Sequence, residues 1–285
     1  TNNDSAYETA LEFKKNNVEP IILDTREEHS SELIDEAKSK GIDIRFSHGV
    51  IVANGYKKVK SAKIGKLNKD KNSFEKIETV DCDCICVSGF WTPSVHLASQ
   101  SGNKLKYEEK IDAFIPDKKK QHETSVGAAN GSFTLEESLK HGFENGSNLS
   151  AKITDTKTEI AIPNVNEKKY GAHDKFWCMP LPKNENPKRF VDFQNDVSVS
   201  DIEIALREGY RSIEHVKRYT TLGMATDQGR TSNLNGLQLV SNIENKIVPE
   251  VGHTTFRPPF TPITIGTIVG REVGMEYMPT RKTPM

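Results

Sequence analysis

The alternation of helical and extended segments near the start of this 285-residue chain constrains its fold more than any other feature. Ala6–Leu11 carries apolar side chains at helical spacing, and Ser31–Lys40 does the same before stopping at Gly41. Pro20–Asp24 and Ile42–Phe46 have the composition of short strands. Strands that alternate with helices in this way predict an α/β fold with a parallel sheet.

A β-hairpin is expected next along the chain. Asn54-Gly55 is a strong turn signal, and it lies between a strand at Gly49–Ala53 and a returning strand at Lys57–Leu67. A second hairpin arm then ends in a segment that alternates cysteine with other residues.

The alternation of Cys82, Cys84 and Cys86 would place three thiols on one face of a strand. Tetrahedral metal sites usually draw on C-x₂-C pairs at turns, so we interpret these thiols as small apolar side chains packed on the sheet. Cys178 stands alone in the sequence. The sequence therefore predicts neither a metal site nor a redox pair.

Charge and cysteine content exclude several classes of protein. The chain has 39 Lys and Arg against 40 Asp and Glu, a formal net charge of −1. Binders of nucleic acid or of anionic membranes normally carry a surplus of one sign, so neither partner is predicted. No apolar run approaches the ~18 residues of a membrane span. Four cysteines in a chain of this size are not a disulfide framework, which predicts a reducing, cytoplasmic location.

Helix signals divide the rest of the chain. Thr134–Glu137 is a capping box that opens a helix to about Ala151. Later, three short helices are expected at Asp201–Glu208, Ser212–Thr221 and Ser232–Ile243. The predicted parts are a dinucleotide-binding α/β domain at 1–155, a linker at 156–187, a helical module at 188–246 and an extended segment at 247–285.

Two segments have features of a dinucleotide site, which needs a helix N-terminus for the pyrophosphate and an acid ~20 residues on for the ribose. The first segment places Asn3, Asp4 and Ser5 at the start of a helix and Asp24 at the end of the next strand. The strand and glycines that should precede this helix are absent from the chain, and the Asp4 carboxylate would repel a phosphate. An ordinary βαβ unit with a solvated Asp24 stays open as the alternative.

The second segment lies just before the capped helix and consists of Gly127, Ala128, Ala129 and Asn130. Small residues at this place let a backbone approach a phosphate or a ribityl chain. Any tight strand-to-helix turn uses such residues too. Ser88-Gly89 and Thr92-Pro93 lie upstream of this segment. Together with it, they have the spacing of the return segment in two-dinucleotide-domain flavoproteins.

The region from Phe190 to Ser232 resembles a ferredoxin-like [2Fe–2S] domain of the bacterioferritin-associated type. In that family a C-x-C pair and, about thirty residues later, a C-Q-G-x-x-C motif hold the cluster. The four ligand positions here hold Asp192, Gln194, Asp227 and Ser232. Because such clusters need thiolates, the resemblance predicts a module without a cluster.

This replacement of the cysteines is also a feature of the α subunit of heterotetrameric sarcosine oxidase, a family that the chain resembles over nearly its whole length. The stretches that carry the resemblance are Asn2–Tyr7, Ser88–Gln100, Gly127–Gly131, Val191–Asn233 and Glu250–Pro262. In the family, a first dinucleotide strand lies upstream and a folate domain follows. The chain is therefore expected to be a middle segment.

The resemblance implies an enzyme complex with a defined reaction. Sarcosine, O₂ and tetrahydrofolate would give glycine, H₂O₂ and 5,10-methylenetetrahydrofolate. The α chain would hold NAD⁺ in its dinucleotide domain and share FMN with a β subunit, while FAD would lie in the β subunit. The implied partners are β, γ and δ subunits and the remainder of the α chain.

Hydroxyls and cations suited to the FMN phosphate occur in two groups. The first comprises Lys217, Arg218, Thr220, Thr221, Gln228 and Arg230, and the second comprises Thr254, Thr255 and Arg257. A solvent-facing position of Lys217 and Arg218 on a helix stays open. No catalytic residue is assigned, because no Ser-His-Asp set or carboxylate pair stands out.

Two other functions remain as alternatives. One is the α subunit of a related proline, opine or amine dehydrogenase, although those relatives usually keep the cluster cysteines. The other is a non-catalytic NAD-binding module.

Overall fold

The computed structural model describes residues 1–89, 91–155, 161–167, 170–171, 173–258, 261 and 263–277. It begins with helix α1 (Ser5–Lys15), strand β1 (Ile21–Asp24), helix α2 (Glu32–Ser39) and strand β2 (Asp43–Phe46). β1 and β2 pair in parallel, so the predicted α/β alternation is confirmed. The two helices and β1 bury one core, made of Tyr7, Ala10, Leu11, Ile22, Leu33, Ile34, Ala37 and Ile42.

An antiparallel three-stranded sheet follows, in the order β3-β4-β5. Its strands are β3 (His48–Gly55), β4 (Val59–Leu67) and β5 (Phe74–Asp81). Gly55 pairs with Val59 across the predicted turn, which confirms the hairpin.

The cysteines do not pack on this sheet, and that interpretation was wrong. The Cys82 N–H donates to the Lys60 carbonyl at 3.1 Å, and the chain then leaves the sheet. Cys84 and Cys86 are exposed, with their sulfurs 3.9 Å apart. The reason is that β5 ends at Asp81, and no strand in the described part of the chain pairs with the residues beyond it.

The next elements are short. Helix α3 (His96–Gln100) precedes a hairpin of β6 (Leu105–Glu108) and β7 (Ala113–Pro116). A 3₁₀ turn at Gly127–Asn130 then leads to α4 (Leu135–Thr154). The Thr134 hydroxyl accepts the Glu137 N–H at 3.2 Å, so the predicted N-terminus of α4 is confirmed. None of the 20 residues of α4 is buried.

The predicted linker is bound closely to its surroundings over a segment that we call the strap, residues 170–171 and 173–179. The Gly171 N–H donates to Asp4 at 2.9 Å, and His173 Nε2 lies 2.9 Å from Asp112 Oδ2. At the far end of the strap, Arg189 donates to the Met179 carbonyl at 3.1 Å. The strap therefore joins the N-terminal core, the β6–β7 hairpin and the start of the helical module. Residues 156–160 of the predicted linker lie outside the described residues.

The helical module begins with a short antiparallel pair, β8 (Phe190–Asp192) and β9 (Val197–Ser198). The three predicted helices are confirmed as α5 (Val199–Arg207), α6 (Ile213–Thr220) and α7 (Asn233–Glu244). α5 begins earlier than predicted, because Ser198 rather than Ser200 forms the capping box with Asp201.

The core of this module consists of Val191, Val197, Val199, Ile202, Ala205, Leu206, Ile213, Val216, Leu222, Leu237, Leu239, Val240 and Val248. Tyr107 and Phe114 from the β6–β7 hairpin and Cys178 from the strap pack against it. The helical module and the preceding hairpin are thus one packed unit.

The C-terminal part is less extended than predicted. It contains α8 (Val248–Val251), α9 (Ile265–Val269) and a 3₁₀ helix at Arg271–Tyr277. Proline is tolerated in the first turn of α8, where its missing N–H would have no helical partner. The residues between α8 and α9 include a stretch without regular secondary structure, Gly252–Arg257, that we call the tail. Across the described residues, no helix combines the length and apolar character needed to span a bilayer.

Candidate cofactor site

The first predicted dinucleotide segment contains a buried cluster of opposite charges. The Arg26 guanidinium contacts Asp4 Oδ1 and Asp24 Oδ2, both at 2.7 Å, from a single nitrogen. The Tyr7 hydroxyl donates to Asp24 Oδ2 at 2.7 Å. Both carboxylates are 0% exposed. Such pairs lose much hydration on folding, and excellent geometry is needed to compensate for that loss.

The ionisation of Asp24 reflects these contacts. Burial alone would raise its pKa, but the hydrogen bonds from Arg26 and Tyr7 outweigh burial and hold the pKa below its usual value. Burial and the neighbouring Asp24 raise the pKa of Tyr7, which keeps its proton. The alternative of a solvated Asp24 is therefore wrong. A ribose hydroxyl would reach Asp24 only by displacing Arg26 or Tyr7.

Asn3 and Ser5 connect this cluster to the segment after the cysteines. The Ser5 hydroxyl lies 2.6 Å from the Ser88 hydroxyl, and the Asn3 amide donates to the Gly89 carbonyl. The Ser5 N–H donates to Asn3 Oδ1 at 2.9 Å. Two stretches noted separately in the sequence are thus adjacent in space.

The second predicted dinucleotide segment forms the turn before α4. Gly127 is buried in a left-handed conformation, with φ of 62°, while Ala128 is exposed and Ala129 and Asn130 are half-buried. A carboxylate already lies at the start of the helix. The N–H groups of Leu135 and Glu136 donate to Glu167 Oε2 at 2.8 and 3.3 Å. This end of α4 accepts negative charge, as a helix N-terminus should.

The structure brings the two groups of candidate FMN-phosphate residues together. Lys217 lies on α6 and is only 6% exposed. Its ammonium donates to the Thr255 carbonyl in the tail at 3.2 Å. The Thr255 N–H donates to Glu214 at 2.5 Å, and the Arg257 N–H donates to Gln228 Oε1 at 3.4 Å. Side chains of the helical module thus hold the backbone of the tail, and we call these five residues the tail clamp.

Lys217 is a buried cation whose polar partner is a backbone carbonyl. No carboxylate among the described residues lies within ion-pair distance of its nitrogen. Burial lowers the pKa of Lys217, Glu214 opposes this effect, and the nearby Arg257 and Arg218 add to it. A solvent-facing position for Lys217 is therefore wrong, because α6 turns this side chain inward.

A small cavity of about 50 Å³ lies on the other side of the tail. His253, Thr254 and Phe256 of the tail line it, whereas Thr255 and Arg257 do not. The Thr254 hydroxyl is buried, and no group in the described structure hydrogen-bonds to it.

His96 forms part of the same wall, and the sequence analysis did not single it out. Its ring lies 4.0 Å from the Phe256 ring, and its Nε2 lies 3.3 Å from the Gln228 carbonyl. Burial lowers the pKa of His96. The only sequence signal for a site residue here was the histidine itself, between Val95 and Leu97. A single histidine is more often structural, so it did not predict a site.

Three of the predicted phosphate ligands, Arg218, Thr220 and Arg230, have other partners, and a fourth, Thr221, is exposed. Arg218 is exposed and pairs with Glu214 at 3.5 Å along α6. The Thr220 hydroxyl donates to the Val216 carbonyl at 2.7 Å, within its own helix. Thr221 is exposed at the C-terminus of α6 in a left-handed conformation. Arg230 donates to the Thr261 hydroxyl at 3.4 Å.

The four positions that would hold cluster cysteines form hydrogen bonds. Asp192 is buried and accepts from the Gly223 N–H at 2.8 Å and from the Ser232 hydroxyl at 3.4 Å. Gln194 accepts from a threonine hydroxyl at 3.1 Å, and Asp227 accepts from a backbone N–H at 3.0 Å. Within the described residues, no group of three His, Cys, Asp or Glu side chains is arranged to hold a metal ion.

A parallel βαβ unit and a packed helical module, joined by the strap, give the chain a mixed α/β fold. L-proline dehydrogenase from P. horikoshii shares this fold, with a TM-score of 0.58 and 18% sequence identity. The similarity covers 91% of this chain and 52% of that dehydrogenase chain.

Sequence comparison identifies the relatives. Residues 186–271 match the family model of the sarcosine oxidase A3 domain. Sarcosine oxidase subunit alpha from Rhizobium meliloti (strain 1021) is 32% identical over 290 residues, and that from Corynebacterium sp. (strain P-1) is 30% identical over 296 residues. Each alignment covers all of this chain, but it spans only 28% and 30% of the respective relative. The chain is a homologue of sarcosine oxidase α subunits, which confirms the resemblance found in the sequence.

Proposed function

We propose that this chain is the cofactor-holding part of an α subunit in a sarcosine-oxidising complex. In this complex it holds NAD⁺ and helps to bind FMN where it meets a β subunit. The complex would convert sarcosine, O₂ and tetrahydrofolate to glycine, H₂O₂ and 5,10-methylenetetrahydrofolate, with FAD in the β subunit and with γ and δ subunits present. Identity of about 30% to sarcosine oxidase α subunits over the full chain supports this proposal.

The observation that carries the FMN part is the buried Lys217. A buried charge is costly unless it is paired, and the described structure offers this ammonium a backbone carbonyl. A phosphate beside Lys217 and Arg257 would supply the missing negative charge. It would also replace Glu214 and Gln228 as the acceptor for the N–H groups of Thr255 and Arg257.

The dimensions of the site agree with a shared flavin. The cavity behind the tail measures about 50 Å³, which is room for one or two water molecules and not for a three-ring isoalloxazine. A flavin anchored by its phosphate at the tail clamp would therefore place its ring outside this chain. An interface with another subunit would provide the second wall.

For NAD⁺, both predicted segments remain in the proposal. Asn3, Asp4 and Ser5 lie at the start of α1 and Asp24 ends β1. Arg26 offsets the negative charge that counted against these residues. Gly127–Asn130 and the N-terminus of α4 form the alternative contact, where a ligand phosphate would replace the Glu167 carboxylate.

The experiment is to purify the native complex that contains this chain and to record its absorbance and its turnover. Protein-bound flavin together with sarcosine-dependent H₂O₂ would support the proposal. Turnover of L-proline instead of sarcosine would favour the dehydrogenase alternative. Iron–sulfur absorption, or a chain that carries no flavin partner, would refute it.

At the residue level, Arg257→Ala should reduce the FMN content of the complex. The matched control is Arg211→Ala, which removes an exposed arginine from the helical module. Flavin content that stays unchanged in Arg257→Ala would remove Arg257 from the site.

A further inference from the structure

A second, larger pocket lies at the carboxyl end of the parallel strands, away from the tail clamp. It has a volume of about 290 Å³. Glu27 follows β1 and Ser47 follows β2, and both line the pocket. In α/β sheets, ligands bind at the carboxyl ends of the strands, so the position itself favours a binding site.

Hydrogen bonds hold the walls of this pocket in place. Ser47 has a left-handed backbone, with φ of 54°, and its N–H donates to the Arg26 carbonyl at 2.9 Å. The Leu67 N–H donates to the Ser47 carbonyl at 2.6 Å, which ties β4 to the end of β2. The Asn68 side chain accepts the Asn72 N–H at 2.9 Å and fixes the β4–β5 turn. The fold therefore fixes the backbone frame of the pocket, while exposed side chains, among them Glu27, Lys66 and Lys69, line it.

The charges in the pocket are not fully matched. Lys66 pairs with Glu75 at 3.3 Å, and Lys71 pairs with Asp174. Within the described part of the chain, no ion pair is formed by the Lys69 ammonium or by the Glu27 carboxylate. One amine and one carboxylate thus face the same pocket without a partner of opposite charge, next to two further lysines.

We propose that this pocket binds the phosphate monoester of a small polyhydroxylated molecule, with Lys69 as the main contact to the phosphate. Lys66 and Lys71 add positive charge around the phosphate, since a monoester carries nearly two negative charges at neutral pH. Glu27 accepts hydrogen bonds from sugar hydroxyls. A volume of about 290 Å³ is at the lower end for ligand pockets and suits one nucleotide rather than a whole dinucleotide. This inference is independent of the proposed sarcosine-oxidising function.

Two kinds of ligand carry a phosphate monoester on a ribose. One is a free mononucleotide such as 5′-AMP, and the other is NADP⁺, through its 2′-phosphate. Calorimetric titration of the 285-residue chain with 5′-AMP, NADP⁺, NAD⁺ and adenosine separates these sources. We expect 5′-AMP or NADP⁺ to bind, inorganic phosphate to compete, and NAD⁺ and adenosine to bind at this pocket at least about tenfold more weakly. The tighter of the first two ligands identifies the carrier of the phosphate.

Variants locate the contact. Lys69→Ala should weaken phosphomonoester binding about tenfold, the usual effect of losing one charge-assisted hydrogen bond. Lys57→Ala, in the exposed β3–β4 turn, is the matched control and should leave binding unchanged. Glu27→Gln should weaken the binding of 5′-AMP, but it should not change the affinity of the pocket for inorganic phosphate, measured by competition.

Any of three outcomes would overturn the inference. The first is that neither 5′-AMP nor NADP⁺ binds at millimolar concentration, and the second is that Lys69→Ala and Lys57→Ala weaken binding equally. The third is that NAD⁺ binds as tightly as 5′-AMP and loses as much affinity in Lys69→Ala. NAD⁺ bound elsewhere would not respond to Lys69→Ala. Failure here would therefore leave the proposed cofactor role standing.

Discussion

Replacing Arg26 by methionine should destabilise the chain more than any other single loss of a charge described above. The change leaves Asp4 and Asp24 buried at 0% exposure without their cation. Removing one partner of a buried ion pair typically costs about 3–5 kcal/mol, because the remaining charge keeps its desolvation penalty. Two carboxylates lose their partner here, so we expect at least about 3 kcal/mol.

Urea unfolding followed by far-UV circular dichroism measures this effect. With a slope of about 3 kcal/mol/M, a loss of about 3 kcal/mol lowers the midpoint by about 1 M. Arg45→Met is the matched control, since Arg45 also pairs with two acids, Asp43 at 2.9 Å and Glu78 at 3.1 Å. Those pairs are partly exposed, and exposed pairs contribute about 0–1 kcal/mol.

The pH dependence gives a second check. The pKa of Asp24 is lowered in the folded chain, so its stabilisation is present above the unfolded pKa of about 4 and is lost as the pH falls through the folded value. Without Arg26, burial would raise that pKa, and the acid would bind a proton instead. The stability difference between the two proteins should therefore shrink from about pH 8 to about pH 4.5. A midpoint shift like that of Arg45→Met, or a difference that does not change with pH, would refute this reasoning.

Three further predictions concern the helical module and the tail. Asp192→Ala should lower stability by about 2–4 kcal/mol in urea unfolding, because buried N–H and hydroxyl donors lose their acceptor, and a loss below about 1 kcal/mol would contradict this. Gly229→Ala should destabilise far more than Gly209→Ala in thermal unfolding. Both glycines have positive φ, but a Cβ on Gly229 would lie 2.1 Å from Asn233 Oδ1, whereas Gly209 has open space; equal melting temperatures would count against the clash. Thr254→Val should raise stability by about 1 kcal/mol, because it removes a buried hydroxyl without a partner, and a loss would show that a water or ligand satisfies this group.

Local patterns predicted most of the regular elements. A capping signal and the separating glycines Gly209 and Gly223 located α5, α6 and α7, because helix ends are marked by local residues. Asn54-Gly55 predicted a turn correctly, because the conformation of such a turn depends on these two residues and not on distant contacts. The start of α5 was misplaced because two serines are each followed three residues later by an acid. The sequence predicts a capping box of Ser200 with Glu203, whereas in the structure Ser198 forms it with Asp201.

The two groups of candidate phosphate ligands could be named from the sequence, but their contact with each other could not. Lys217 and Thr255 are 38 residues apart, and helix spacing alone does not tell which face of α6 the tail crosses. The pairing of Asp24 with Arg26 had a visible signal, because an arginine two residues after a buried acid can fold back onto it. The expectation of packed cysteines failed because it assumed a neighbouring strand, which is a non-local property.

The strap has a consequence for how the chain folds during synthesis. Asp4 and Gly171, which hydrogen-bond to each other, are 167 residues apart, and Asn2 and Asp174 are 172 residues apart. A nascent chain that ends after α4 therefore lacks the donors that complete the N-terminal polar network. Closing so long a loop is slow and costs entropy before the contacts compensate for it. The elements around Asn2 and Asp4 should thus reach their final hydrogen bonding only after the strap has been synthesised, although they precede it by about 170 residues. Truncation before the strap should therefore leave these elements sensitive to protease.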